Sequence, residues 1–380
     1  MKAMNKLIYA SSENCADLWY LTNFAASDPF LFFQTDAMTV VAVNSIEIGR
    51  AQKQCHPHVR VADSGHLHEF FKQPPLEGEM HWFVRMIKTV CQGTGVTEWN
   101  VPNDFPLVYA DLLREAGISV KPLWPFAPSR VIKTAQEIES IRRAERLAEM
   151  GLVAAEGMLR DAAIDKEGYL VLSGHRLLAE ELRGAIDAEI ARHGGIGRGT
   201  IAAPGVQGSD PHQSGHGPIK AGEPIVMDIF PRDQSTGYFG DLTRTRVKGT
   251  AAPVVHQAYE AVLQAQLDVL RSLKAGVLGC DMQTLVTDRF NAAGFETGRD
   301  AVTGIYHGFF HSLGHSVGME IHEAPGLSPR KEAPLQAGHV VTVEPGLYYP
   351  EWGGIRIEDT VAITADGIDN LAVVGKDLEL

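Results

Sequence analysis

Three short runs late in the chain, IVMDIF (225–230), GDLTRT (240–245) and GGIRIEDT (353–360), alternate side chains with the two-residue period of a β-strand, and each carries an acid in the middle of the pattern. In the first, Ile225, Met227 and Ile229 share one face while Asp228 lies on the other with Val226 and Phe230. In the second, Asp241, Thr243 and Thr245 share a face; in the third, Arg356, Glu358 and Thr360 oppose Ile355 and Ile357. A carboxylate leaving a strand whose neighbours are buried must reach water or a partner, because an isolated buried charge costs several kcal/mol. The pattern therefore predicts a mixed α/β fold whose strands aim their acids into one common pocket.

The densest set of functional groups adds to these acids. HSLGHSVGMEIHE (311–323) supplies His315, and VTVEPG supplies Glu344. Asp228, Asp241, His315, Glu344 and Glu358 make one imidazole and four carboxylates, the ligand count and charge for two divalent cations. Four carboxylates offset four positive charges, leaving a metal-bound water free to ionise near neutral pH. Hard oxygens with a single imidazole suit Mn²⁺ or Co²⁺ better than a thiol-loving ion, with Zn²⁺ as a further candidate. Other chemistries fit less well. His311 and His315 stand four apart, but Ser312 occupies the place where HExxH needs glutamate, and Gly314 and Gly318 weaken a helix. No GxSxG elbow occurs, and GGIGRG (194–199) lacks the GxGxxG spacing of a nucleotide cradle.

A chain of 380 residues, 44% of them hydrophobic, has apolar surface for two cores. Its 34 basic and 47 acidic residues give a net charge of −13, which repels nucleic acid and anionic membrane surfaces. Cys15, Cys55, Cys91 and Cys280 stand apart with no CxxC pair, which predicts buried or incidental thiols in a reducing compartment. No run has signal-peptide character or approaches the roughly 20 apolar residues of a membrane span, so a cytoplasmic protein is expected. No tandem repeat is visible.

Residues 1–128 read as alternating short strands and helices, with MTVVAVN (38–44) a strand. KPLWPFAPS places prolines at 122, 125 and 128, marking a connector and a domain boundary after 128. Thr134 and Glu137 then form a capping box ahead of apolar residues at Ile138, Ile141, Ala144, Leu147 and Ala148, predicting an amphipathic helix.

The ordered series Asp228, Asp241, His315, Glu344 and Glu358, with HSLGHSVGMEIHE, resembles the metallopeptidases of the pita-bread fold, the family that holds aminopeptidase P, prolidase and methionine aminopeptidase. The likeness runs from about Lys133 to the C-terminus. More loosely, through YLTNF, the first half is similar to the noncatalytic domain of prolidases and aminopeptidase P. The resemblance implies a noncatalytic domain over 1–128, a pita-bread catalytic domain over 129–380, and a homodimer. It implies an Xaa-Pro dipeptidase acting on small peptides with proline second, with two alternatives: an aminopeptidase P acting on longer peptides, or an inactive interaction protein on the same fold. Position by position, it makes Asp228 a chelating ligand of one metal, Asp241 and Glu358 bridges, and His315 and Glu344 ligands of the second metal. Glu344 would also shuttle a proton to the leaving nitrogen. His322 would bond the scissile carbonyl, His212 would face substrate, and His311, Ile321 and Tyr348 would line the proline slot. Arg356, on the strand face of Glu358, is expected to clasp a dipeptide's carboxylate through its planar fork. Two features depart from the family's pattern. The interval from Asp228 to Asp241 is about two residues longer than is usual in the family's proline-cleaving members, which makes Asp233 an outside ligand candidate, and His216 and His307 fit no ligand role.

Overall fold

Residues 4–331 and 333–380 are described by the computed structural model, in which the chain divides into the units Met1–Arg130 and Val131–Leu380.

The first unit is built on a six-stranded mixed sheet, in spatial order Val59–Asp63, Thr39–Val43, Phe30–Gln34, Lys6–Ala10, Glu98–Val101 and Ser119–Pro122. Alternate residues feed opposite faces. Leu7, Leu31, Phe33 and Val40 pack with Phe83, Ile87 and Val90 of the helix Trp82–Thr94, while Ile8, Phe32, Val41 and Val43 pack with Leu18 and Ala51 on the other side. Two covered faces explain why FLFF and TVVAV are continuously apolar rather than alternating.

In the second unit the helix Ala135–Asp161 opens on the expected capping box. The Thr134 hydroxyl accepts from the Glu137 amide, and the Glu137 carboxylate accepts from the Thr134 amide at 2.7 Å. The order of elements then runs twice. The helix pair Ala135–Asp161 and Ala179–Arg192 is followed by the antiparallel strands Ile201–Pro204, Ile225–Ile229 and Leu242–Arg246. The pair Pro253–Ser272 and Gly279–Ala292 is followed by the antiparallel strands Gly314–Ser316, Val340–Val343 and Asp359–Ile363. Each half has its own core: Leu152, Leu182 and Ile186 against Ile225, Met227, Ile229 and Leu242, and Val262, Val286 and Phe290 against Val341, Val343 and Val361. With their apolar faces buried on separate helix pairs, the two sheets are left to present polar faces to each other.

The halves are stitched at that seam. The Glu358 amide donates to the Thr243 carbonyl at 3.0 Å. The Thr245 hydroxyl donates to the Arg356 carbonyl and accepts from the Arg356 amide, both at 3.0 Å. GGIRIEDT is not one strand. Gly353–Arg356 forms a hairpin with Gly346–Tyr349, whereas Asp359–Ile363 pairs with Val340–Val343. The alternation survives the change of partner, with Ile355 and Ile357 in the core and Arg356 and Glu358 on the seam. No described helix is long and apolar enough to cross a membrane, and all four cysteines are unpaired.

Candidate active site

The seam gathers residues from both halves. Asp241, just ahead of the Leu242–Arg246 strand, His315 on the Gly314–Ser316 strand and Glu358 offer ligand atoms that all lie within 4.8 Å of one another. Gly314 makes the approach of this strand possible, since a Cβ there would sit 2.0 Å from the Thr342 carbonyl oxygen. His315 Nδ1 donates to the Ser316 carbonyl at 3.3 Å, which leaves the Nε2 lone pair facing Asp241 Oδ2 at 3.5 Å and Glu344 Oε1 at 3.3 Å. Burial, then the neighbouring His322, lowers the His315 pKa to about 4, so the ring is neutral. An imidazole lone pair facing two ionised carboxylates is repelled by them; a cation between the three satisfies all of them.

Asp228 is held differently. Its Oδ2 accepts from Arg356 Nη2 at 2.6 Å, while its Oδ1 is buried without a hydrogen-bond partner. Glu358 accepts from the Thr243 hydroxyl at 2.7 Å, and Glu344 from the Thr342 hydroxyl at 3.2 Å. Burial and mutual repulsion push Asp241 and Glu358 well above the ordinary carboxylate range. Burial, outweighing the nearby Arg356 guanidinium, takes Glu344 to about 8. Inward-facing lone pairs, an orphaned Asp228 oxygen and carboxyls that repel one another fit a pair of divalent cations.

These shifts carry a stability prediction for chelator-stripped protein. Between Glu344's ordinary value of 4.5 and its folded value of about 8, the folded chain binds a proton that the unfolded chain has released. Folding is therefore favoured at the acid end of that window and weakens as pH rises through it. Calorimetry should show the melting temperature of metal-free protein falling across this range and Mn²⁺ restoring it. A flat profile in both states would contradict the arrangement.

The remaining expected residues separate by environment. His322 is exposed, and its ring stands edge-on to His315 with centroids 4.4 Å apart. His212 is also exposed, close enough for its charge to act on His311. Ile321 is half-buried. His311 has both nitrogens engaged: Nδ1 donates to the Ser312 carbonyl at 2.8 Å, and Nε2 accepts from the Tyr348 hydroxyl at 2.8 Å. Only its ring face or edge is available to a substrate. Tyr348 is fully buried, so it acts from behind His311 rather than as an open wall.

Arg356 departs most from expectation. It is 3% exposed, and its fork donates to Asp228, to the Tyr348 hydroxyl at 3.0 Å and to the Thr243 hydroxyl at 3.1 Å. A guanidinium engaged in this way holds Asp228 and Tyr348; it is not presented to a substrate carboxylate. Asp233 is excluded as a ligand by its turn. Its Oδ1 accepts from the Ser235 amide at 2.7 Å and the Thr236 amide at 3.1 Å, and Oδ2 pairs with Arg143 at 2.6 Å. The long interval is taken up there, where the Asp233 amide donates to the Tyr238 carbonyl at 2.9 Å. His216 is exposed and His307 half-buried, both outside the ligand group.

Sequence reasoning missed Thr243 and Thr342 as supports of the acids, although strand parity put Thr243 beside Asp241. It also missed Glu145, fully buried on the Ala135–Asp161 helix with one oxygen accepting from the Asp241 amide at 2.8 Å. A lone glutamate on an amphipathic helix carries no sequence mark that separates it from a solvated one.

Residues 139–365 match the family described as metallopeptidase family M24. An Xaa-Pro dipeptidase from Pyrococcus furiosus is 32% identical over 250 residues, covering 66% of this chain and 65% of that protein. This chain thus aligns with just under two thirds of that relative. Among solved structures, an Xaa-Pro dipeptidase from Bacillus anthracis superposes with a TM-score of 0.81 at 23% identity, over 99% of this chain and 95% of that one. An X-Pro aminopeptidase from Thermotoga maritima gives 0.81 at 22% identity, over 99% and 97%. At such identities these likenesses establish the fold.

Proposed function

Because the chain belongs to metallopeptidase family M24, we propose that it is a dinuclear metal-dependent hydrolase cleaving the bond between an N-terminal residue and proline, acting as an Xaa-Pro dipeptidase. The observation that carries this reading is the convergence of Asp241, His315 and Glu358 at one point, with Glu344 within 3.3 Å of His315 and Asp228 beside them. Asp228, Asp241, His315, Glu344 and Glu358 would hold the two cations. Mn²⁺ is the first choice from the oxygen-rich ligands, with Co²⁺ or Zn²⁺ as substitutes. When bound, the cations supply a nucleophile at neutral pH and polarise the scissile carbonyl.

The side chains do the rest. His322, exposed at the mouth, donates to the oxygen of the scissile carbonyl as charge develops there. Glu344 takes a proton and delivers it to the departing proline nitrogen. That nitrogen carries no hydrogen in the substrate, so a peptidase that relied on an N–H donor could not use the bond. His311, held by Tyr348 and Ser312, presents a fixed aromatic edge beside Ile321 for the pyrrolidine ring, and His212 faces the substrate from its own loop. Replacing His322 with alanine is expected to lower kcat on the order of 10²- to 10⁴-fold. A loss below about threefold in steady-state assays would remove His322 from the site.

The reading is tested with a panel of Xaa-Pro dipeptides, Xaa-Pro-Yaa tripeptides and Xaa-Ala controls assayed with Mn²⁺, Co²⁺ or Zn²⁺. Dipeptides with proline second should be the best substrates, and rapid cleavage of Xaa-Ala would defeat proline specificity. A second reading, an aminopeptidase P acting on longer peptides, is favoured by the engagement of Arg356 with Asp228, which removes one anchor for a free proline carboxylate. Tripeptides cleaved faster than dipeptides would decide for it. A homodimer and a cytoplasmic setting complete the proposal; the second is supported by four unpaired cysteines.

A further inference from the structure

Asp241 lies one residue ahead of the Leu242–Arg246 strand, outside the paired register of its sheet. Its peptide groups are taken by side chains instead. The amide donates to Glu145 Oε2 at 2.8 Å, and the carbonyl accepts from the Thr360 hydroxyl at 2.9 Å. The two side chains come from different halves of the unit, Glu145 from the Ala135–Asp161 helix and Thr360 from the Asp359–Ile363 strand. Both are fully buried. The helix reaches this close because residue 240 is glycine: a Cβ there would lie 2.5 Å from the Ala144 carbonyl carbon and the Glu145 nitrogen.

The second oxygen of Glu145, Oε1, is buried without a hydrogen-bond partner. An apolar side chain at the same place would avoid the cost of burying that group. The contribution of the carboxyl therefore lies in the one bond it makes, to the backbone of the residue at the centre of the acidic cluster. We propose that Glu145 and Thr360 are positioning residues that clamp the Asp241 peptide from both sides and so fix the direction in which its carboxylate meets the cations. The proposal rests on the metal reading of the site and is independent of which peptide is cleaved.

The test is calorimetric titration of Mn²⁺ into chelator-stripped protein, with melting temperatures of the same metal-free samples. The parental chain is compared with Glu145→Leu, Glu145→Gln and Thr360→Val. Losing either end of the clamp should weaken Mn²⁺ binding about 10- to 100-fold, as removing a group that orients a metal ligand does. Glu145→Gln, whose amide oxygen can still accept from the Asp241 amide, should stay within about threefold of the parent. Unchanged affinity in Glu145→Leu or Thr360→Val, with only the melting temperature moved, would reduce the pair to ordinary packing and overturn the proposal; so would a Gln variant as damaged as the Leu one. Should Glu145→Leu fail to fold, Thr360→Val, which removes one hydroxyl at nearly constant volume, decides alone. A parental chain that binds no Mn²⁺ overturns the clamp together with the metal reading. One that binds Mn²⁺ without cleaving Xaa-Pro substrates leaves the clamp standing and removes only the proposed specificity.

Discussion

An Asp241→Asn substitution is expected to lower kcat/KM by more than about 10³-fold and to cost the protein both cations together. The side chain is almost fully buried, lies 3.5 Å from the His315 Nε2 lone pair and shares its ligand group with Glu358. Asparagine keeps the volume and leaves the backbone bonds to Glu145 and Thr360 in place, so the fold should persist. What changes is the charge: a neutral amide oxygen bridges two cations poorly, and the amide nitrogen is a donor that cations repel. The same change relieves the metal-free protein, because Asp241 belongs to a buried set in which Glu358, Asp228 and Glu344 raise its pKa. The variant should therefore be inactive, hold less metal by elemental analysis, and melt no lower than the parent when both are stripped. A variant that retains two cations per chain and activity within about tenfold of the parent would sink the bridging role.

Why this site was legible in sequence, and where it was not, follows from the geometry of strands. Side chains alternate along a strand with a period of two, so Ile225, Met227 and Ile229 mark the buried face and fix the side on which Asp228 must stand. The rule held across 355–358 although the chain changes sheets there, because Ile357 stays in the core while the backbone crosses the seam. Alternation places a residue on a face, but it does not choose its partner on that face. Arg356 and Glu358 share a side, and sequence could not say that Arg356 would turn to Asp228, 128 residues earlier, instead of to a substrate carboxylate. Tyr348 escaped in the same way: its burial behind His311 depends on the hairpin that brings Gly346–Tyr349 against Gly353–Arg356. Glu145 lay beyond reach for a third reason. Helical periodicity marks the face that is buried, but a polar residue on that face becomes informative only when its tertiary partner, here an amide 96 residues away, is known. The repeated order of helix pair and sheet was invisible for a related reason, since packing constrains only the apolar character of each half's core.

Glu344→Gln is the sharper probe of chemistry, because it separates a ligand from a proton carrier. The glutamine oxygen can still approach a cation and still accept from the Thr342 hydroxyl, which reaches Glu344 Oε1 at 3.2 Å. It cannot take up a proton and give it away. Without metal, burial and the repulsion of Asp228 hold the Glu344 carboxyl near 8, against the pull of Arg356 and Thr342. Bound cations would favour the ionised carboxylate and draw that value down. The variant should therefore lose about 10²- to 10⁴-fold in kcat, with KM moved far less and metal content close to that of the parent. Its kcat–pH profile should also lose the limb that reports Glu344. A large rise in KM with kcat preserved, or loss of metal in proportion to loss of rate, would leave Glu344 a ligand alone. The proton for the leaving nitrogen would then have to come from another titratable group beside the ligand cluster, with His322 the first candidate because its exposed ring stands next to His315.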